Sequence, residues 1–169
     1  MDAAELKAQQ APFKDAYRET PEKALITLSA RGSIDDQAIA CKVETGRAIA
    51  VAGLHPATGG SGMELCSGDM LLEALVACAG VTLKAVATAL EFKLAAATVS
   101  AEGDLDFRGT LGVARDAPVG FRAIRLSFEL KTEELQERID SLIKLTERYC
   151  VVFQSINQRP QLSVAARAV

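Results

Sequence analysis

The order of sequence patterns predicts an α+β fold with a long central helix packed on a sheet. Two stretches, 98–107 and 121–131, alternate apolar and polar residues and predict half-buried strands. An apolar stretch from 67 to about 91 predicts a buried helix, and an amphipathic stretch after Thr132 predicts another. Because strands and helices come in blocks rather than in strict alternation, the pattern is typical of α+β proteins.

Length and charge bound the protein class. The chain has 169 residues, and we expect a helical N-terminal arm at 1–20 and one domain at 21–169. The net charge is -3 with both signs interspersed, so the sequence does not predict binding to nucleic acid or to a membrane. The polar N-terminus lacks the apolar stretch of a signal peptide, so we expect a cytoplasmic protein.

The first elements are a helix and three strands. Residues 3–18 have helical spacing, although Pro12 can break or kink the run. Two stretches, 24–30 and 37–43, predict strands joined by a turn at 31–36. A third strand is predicted at 48–53.

The central helix follows a glycine-rich loop at 55–67. The loop is not a P-loop, because no Gly-Lys-Ser/Thr follows the glycines. Ser67 is the predicted N-cap, Asp69 lies in the first turn, and the helix extends to about Glu91.

This helix is apolar enough to be considered as a membrane span. Glu73 and Lys84 interrupt it, and a charge near the centre of a membrane helix costs about 2.5–3.5 kcal/mol on insertion scales. We therefore interpret it as the buried helix of a soluble protein.

The C-terminal half completes the sheet. One face of the two alternating strands is apolar: Val99, Ala101, Leu105 and Phe107 on the first, and Ile124, Leu126, Phe128 and Leu130 on the second. Thr132 is the predicted cap of a helix whose first turn is Glu133-Glu134. Its apolar stripe comprises Leu135, Ile139, Leu142, Ile143 and Leu145. A short helical pattern follows Cys150 to about Ile156, and 161–166 predicts a last strand.

Cysteine is the residue type with the clearest chemical potential. The four cysteines contain no Cys-x-x-Cys pair, and His55 is the single histidine. A structural zinc site usually draws on close ligand pairs, so we expect neither a metal nor another cofactor. Cys41, in an alternating strand, is interpreted as core. Cys66 is a candidate third redox cysteine, and His55 is more consistent with a loop-structural role than with a base or ligand.

Cys78 and Cys150 are the candidate reactive thiols. A free cysteine has a pKa near 8.5, so about 3% is thiolate at neutral pH. A helix that starts at Cys150 offers free N–H groups that favour a thiolate there. The helical neighbours of Cys78 are uncharged, and Asp69 lies roughly 13 Å back along the helix. Local physics therefore favours Cys150, and the plain alternative is that both are small core residues.

Two segments together resemble the OsmC/Ohr family. Residues 65–78, an acidic residue followed by a Leu- and Ala-rich run and Cys78, resemble its first cysteine motif. Residues 147–156, around Cys150, are similar to its second. The resemblance covers roughly 22–167. Val151 stands where many members have proline.

The resemblance implies an intertwined homodimer, with antiparallel sheets packed on the long central helix, that reduces organic hydroperoxides. Cys78 attacks the peroxide and becomes a sulfenic acid, Cys150 condenses with it to a disulfide, and a dithiol of lipoyl type or a small thiol reduces the pair. The family's activating arginine matches Arg31 in the predicted turn, with Arg47 as a second candidate, and its acidic partner matches Asp69.

The resemblance makes Cys78 the attacking thiol, which reverses the ranking from local physics. Since the helical neighbours of Cys78 are uncharged, this role implies that a charge from outside its own helix reaches the sulfur. Two alternatives remain: a stress-associated or binding protein with the fold but no peroxidase activity, and a different thiol chemistry on a small electrophile.

Overall fold

The computed structural model describes residues 2–20, 31–34, 40–44, 49–112 and 114–168. The helices are α1 (Ala3–Glu19), α2 (Ser67–Ala89), α3 (Phe107–Thr110), α4 (Gln136–Tyr149) and α5 (Val151–Asn157), with a short 3-10 helix at Pro56–Thr58. The strands are β1 (Arg31–Ile34), β2 (Ala40–Glu44), β3 (Ile49–Gly53), β4 (Leu65–Cys66), β5 (Ala96–Asp104) and β6 (Ala123–Lys131). The predicted α+β class is confirmed.

The first sheet has the order β1-β2-β3-β4. Its neighbours are antiparallel except for the short β3–β4 pair, which is parallel and leads into α2. The turn predicted at 31–36 is wrong for its first four residues, because Arg31–Ile34 pair with β2 as a strand. The strand predicted at 24–30 lies outside the described residues.

The second sheet is the antiparallel pair β5–β6, and its faces follow the predicted alternation. Apolar residues such as Val99 and Phe128, which lie opposite each other, point to the protein interior. The strand stops at Asp104 and does not reach Phe107. The Asp106 carboxylate accepts the Arg108 N–H and thereby starts α3.

The central helix α2 packs against β5, α4 and α5. Its buried stripe repeats every four residues, as expected for one helix face: Leu75, Ala79, Leu83 and Ala87. The N-cap is Cys66 rather than Ser67, with no side-chain cap bond. The helix predicted to be buried is buried on one face of the single chain, and Val81 on the opposite face is 73% exposed.

By length and composition alone, α2 could cross a membrane. Much of its apolar surface lies outside the core of the single chain. A core helix of a soluble protein passes the same test. A core helix is mostly buried, whereas α2 in the single chain buries one stripe, so its interpretation as a core helix stays a prediction.

Helix α4 begins at Gln136, later than predicted, because Thr132 is engaged elsewhere. The Thr132 hydroxyl donates to the Lys93 carbonyl over 2.6 Å and accepts the Glu134 N–H. These bonds hold the segment before α4 against Lys93, which lies in the connection between α2 and β5. Leu135 consequently lies outside the buried stripe and is 73% exposed, while Leu142 is fully buried.

The two ends of the chain differ in packing. Helix α1 continues through Pro12 without a break and contacts α2. The strand predicted at 161–166 is wrong. Among the described residues these positions pair with no strand, and Leu162 and Val164 are almost fully exposed.

Candidate active site

Cys78 lies on α2 at the border of its buried stripe. It is half-buried and packs against the fully buried side chains of Leu75, Ala79 and Cys150. Apolar residues of β5, β6 and α5 complete this cluster: Val99, Ala101, Ile124, Leu126, Phe128, Val152, Phe153 and Ile156. The thiol of Cys78 therefore lies near the middle of α2 and faces the protein interior.

Cys150 occupies the junction between α4 and α5. Its N–H donates to the Thr146 carbonyl at the end of α4, and its carbonyl accepts the Gln154 N–H at the start of α5, each over 2.9 Å. Its backbone is extended, with φ -74° and ψ 106°, so one residue ends one helix and begins the next. Its side chain is 1% exposed.

The two thiols lie within hydrogen-bonding reach of each other, although about 70 residues separate them in sequence. The packing of α4 and α5 on α2 brings them together. The structure thus juxtaposes the two cysteines that the resemblance pairs. Their redox roles remain a prediction.

The surroundings of Cys78 favour its thiolate. Burial raises the pKa of Cys78, but the backbone N–H of Val152 and the thiol of Cys150 lower it. The N–H of Val151 and the hydroxyl of Thr82 lower it further. The pKa of Cys78 therefore lies below the ordinary value of a cysteine.

The pKa of Cys150 moves in the opposite direction. Burial raises it most, and the neighbouring Cys78 sulfur raises it further, against N–H groups of Phe153 and Val152 that lower it. Cys78 consequently loses its proton first, and Cys150 keeps its proton as a donor to the Cys78 sulfur.

These shifts correct the ranking that local sequence physics gives. A helix does begin after Cys150, as predicted, and two of its N–H groups lower the pKa of Cys150, but burial and the neighbouring Cys78 sulfur outweigh them. The N–H groups of Val151 and Val152 also act on the Cys78 sulfur. Uncharged donors already lower the pKa of Cys78 in the single chain, and the expectation that a charge from outside its helix also reaches the sulfur stays a prediction. The sequence signal for one of them was present, since Thr82 lies one turn from Cys78 on α2.

The charged residues predicted to activate Cys78 are placed differently or not described. The structure gives Arg31 by its backbone alone, as the first residue of β1 opposite Glu44, and Arg47 lies outside the described residues. Asp69 is exposed in the first turn of α2, more than two turns before Cys78. Their roles in the reaction stay predictions.

The remaining candidates lie away from the thiol pair. His55 has the expected structural role: its Nδ1 accepts the Ala57 N–H over 3.0 Å, and its ring stacks on Phe107 with centroids 4.8 Å apart. Cys66 caps α2 and is partly buried, and Cys41 pairs within the first sheet, as predicted for a strand residue. No cluster of metal-binding side chains occurs among the residues that the structure describes.

A groove of about 580 Å³ lies beside the thiol pair. It shares five apolar side chains with the cluster around Cys78 and Cys150: Leu75, Ile124, Leu126, Phe153 and Ile156. An apolar molecule in this groove therefore lies next to the cluster that holds both sulfurs.

Comparisons with known proteins agree with this fold. Residues 59–165 match the family model of OsmC-like proteins, so more than half of the chain is covered. An OsmC-like protein from Mycoplasma pneumoniae superimposes with a TM-score of 0.66 and 14% identity, over 79% of this chain and 89% of that chain. No curated protein matches the chain in sequence.

Two further solved structures carry a functional name. An organic hydroperoxide resistance protein from Elizabethkingia anophelis has a TM-score of 0.62 and 16% identity, over 80% of this chain and 91% of that chain. One from Legionella pneumophila has a TM-score of 0.60 and 16% identity, over 78% and 90%. At these identities the likeness shows the fold alone.

Proposed function

The chain belongs to the family of OsmC-like proteins, and we propose that it is a thiol peroxidase that reduces organic hydroperoxides through Cys78 and Cys150. The observation that carries the proposal is the contact between these two thiols, with the pKa of Cys78 lowered and that of Cys150 raised. A peroxide-reducing site needs one sulfur as thiolate and a second thiol within reach.

The reaction has three balanced steps. The Cys78 thiolate attacks the distal peroxide oxygen and breaks the O–O bond, which leaves Cys78 as a sulfenic acid and releases an alkoxide that takes up a proton to form the alcohol. Cys150 then attacks the sulfenic sulfur, so that a disulfide forms and water leaves. A dithiol reduces this disulfide by exchange and is itself oxidised to a disulfide.

The groove beside the thiols supports an organic peroxide as the substrate. Leu75, Phe121 and Phe153 in its wall can pack against an alkyl or aryl group. Arg122 and Arg159 add charged side chains to the same wall. Hydrogen peroxide has no such group, so the groove offers it no apolar contact. We therefore expect organic hydroperoxides to be the faster substrates.

The uncovered face of α2 supports a homodimer. Val81 is 73% exposed on this face, although α2 is apolar along most of its length. A second copy that packs on this face buries it and fits the family's expected assembly. We place this dimer in the cytoplasm, where thiols stay reduced, with a lipoyl-type or small dithiol as its reductant.

Turnover of cumene hydroperoxide with dihydrolipoamide tests the proposal directly. We expect turnover by the wild-type protein, none by Cys78→Ser, and normal turnover by Cys66→Ser, whose thiol lies outside the pair. One equivalent of peroxide without reductant should remove two hydrogens from the intact mass, mapped to a Cys78–Cys150 disulfide. Wild-type turnover by Cys78→Ser contradicts the proposal, and unreactive thiols favour the binding-protein alternative.

A further inference from the structure

Thr82 lies one helical turn after Cys78 on the same row of α2. Residues four apart on a helix are neighbours, and both side chains are half-buried at the edge of the stripe that contains Ala79 and Leu83. From this position the Thr82 hydroxyl lowers the pKa of the Cys78 thiol. The contact is built into the helix itself and does not depend on another element.

Other helical hydroxyl groups of the chain are used differently. Those of Thr88, Ser141 and Thr146 each donate over 2.8 Å to the carbonyl four residues earlier. That bond is the ordinary local partner of serine and threonine within a helix. Thr82 instead acts on a side chain, the sulfur that the proposed reaction uses.

Few groups lower the pKa of Cys78 in the described part of the chain. Besides Thr82 they are the Cys150 thiol and two N–H groups at the start of α5. The charged residues of α2 nearest in sequence, Glu73 and Lys84, are exposed. Thr82 is therefore the hydroxyl that acts on this sulfur among the described residues.

We propose that Thr82 is a positioning residue of the thiol site, which donates its hydroxyl hydrogen to the Cys78 thiolate and holds that sulfur beside Cys150. The role deepens the proposed peroxidase function and rests on it for its catalytic meaning. The hydrogen bond favours the charged form of Cys78, because an ionised acceptor makes the stronger bond.

The pH dependence of Cys78 alkylation by iodoacetamide tests this role, since only the thiolate reacts. Labelling of the Cys78 peptide is followed by mass spectrometry from about pH 6 to about pH 10 in the wild-type protein, Thr82→Val and Thr82→Ser. Valine keeps the shape and removes the hydroxyl, whereas serine keeps the hydroxyl.

We expect Thr82→Val to raise the labelling midpoint by about half to one pH unit, so that labelling well below the midpoint slows about three- to tenfold. The plateau at high pH should not change, and Thr82→Ser should keep the wild-type midpoint. The same midpoint in Thr82→Val and in the wild type overturns the proposal, since a bond to the Cys78 carbonyl leaves the thiol unaffected.

A second matched pair protects the test against a folding defect. Thr82→Ser and Thr82→Ala differ by the hydroxyl alone, so equal midpoints in these two variants also overturn the proposal. Labelling needs no turnover. A wild-type protein that does not turn over peroxide contradicts the proposed function, while the midpoints still decide the role of Thr82.

Discussion

The backbone N–H of Val152 lowers the pKa of the Cys78 thiol, so a residue of α5 favours a thiolate on α2. The N–H of Val151 acts in the same direction. The reactivity of Cys78 thus depends on how α5 begins, and α5 begins at the residue after the second cysteine of the pair.

A proline at position 151 should weaken this stabilisation without harming the fold. Val151 is the first residue of α5 and is 68% exposed, and proline is well tolerated at that helix position. The extended backbone of Cys150 also suits a following proline. Val151→Pro removes one N–H donor, so we expect the Cys78 alkylation midpoint to rise by less than about one pH unit with an unchanged Tm.

Val151→Ala is the matched control, because it shortens the side chain and keeps the N–H. It should leave the midpoint at the wild-type value. Equal midpoints in the proline and alanine variants contradict a role for this N–H.

The free energy of unfolding should depend on the protonation of both thiols. Cys78 has a lowered pKa in the folded protein, so below the ordinary value of 9.0 the unfolded chain binds more protons and stability rises with pH toward that value. Cys150 has a raised pKa, so its contribution is present below 9.0 and is lost as the pH rises through its folded value.

Urea unfolding in reducing buffer at several pH values measures this dependence. The free energy of unfolding of the wild-type protein minus that of Cys78→Ser should grow as the pH rises toward 9.0. Cys66→Ser should retain the wild-type profile. A difference that does not change with pH rules out a lowered pKa at Cys78.

Replacement of Cys150 by alanine should have two separate effects. The Cys78 sulfur loses the thiol donor that lowers its pKa, so its alkylation midpoint rises. Its sulfenic acid also loses the partner that resolves it, so dimedone should label Cys78 after one equivalent of organic hydroperoxide. The wild-type protein should form the disulfide instead, and equal dimedone labelling in both proteins argues against Cys150 as the partner.

A charge on the uncovered face of α2 should separate the proposed dimer. Val81→Glu places a carboxylate on that face, and burial of an unpaired charge in an interface is costly. Sedimentation velocity should show a monomer for this variant. Leu135→Glu is the control, because Leu135 is equally exposed at 73% but lies at the start of α4. A dimeric Val81→Glu protein excludes this face as the interface.

The elements that the sequence predicted well are those whose pattern reports burial directly. The alternation from Ile124 to Leu130 predicted both β6 and its inward face, because one side of that strand packs on the core. The start of α4 was misplaced because a bond between Thr132 and the Lys93 carbonyl, 39 residues away, is invisible in the local pattern.

The candidate site shows the same division. The resemblance paired Cys78 with Cys150, and the structure brings them together. The acidity of the two thiols was misjudged, because burial raises the pKa of Cys150 most, and N–H groups of α5 also lower the pKa of Cys78. The direction in which a backbone N–H points in the folded chain cannot be deduced from the spacing of residues in the sequence.

The position of Cys150 between α4 and α5 has a consequence for the oxidised protein. A Cys78–Cys150 disulfide fastens the middle of α2 to the shared end of two helices and closes a chain loop of about 70 residues. Such a loop restricts the unfolded ensemble by about 4 kcal/mol in the chain-entropy account. The oxidised protein should therefore resist heat and proteases better than the reduced one, which makes thermal stability a direct record of peroxide exposure.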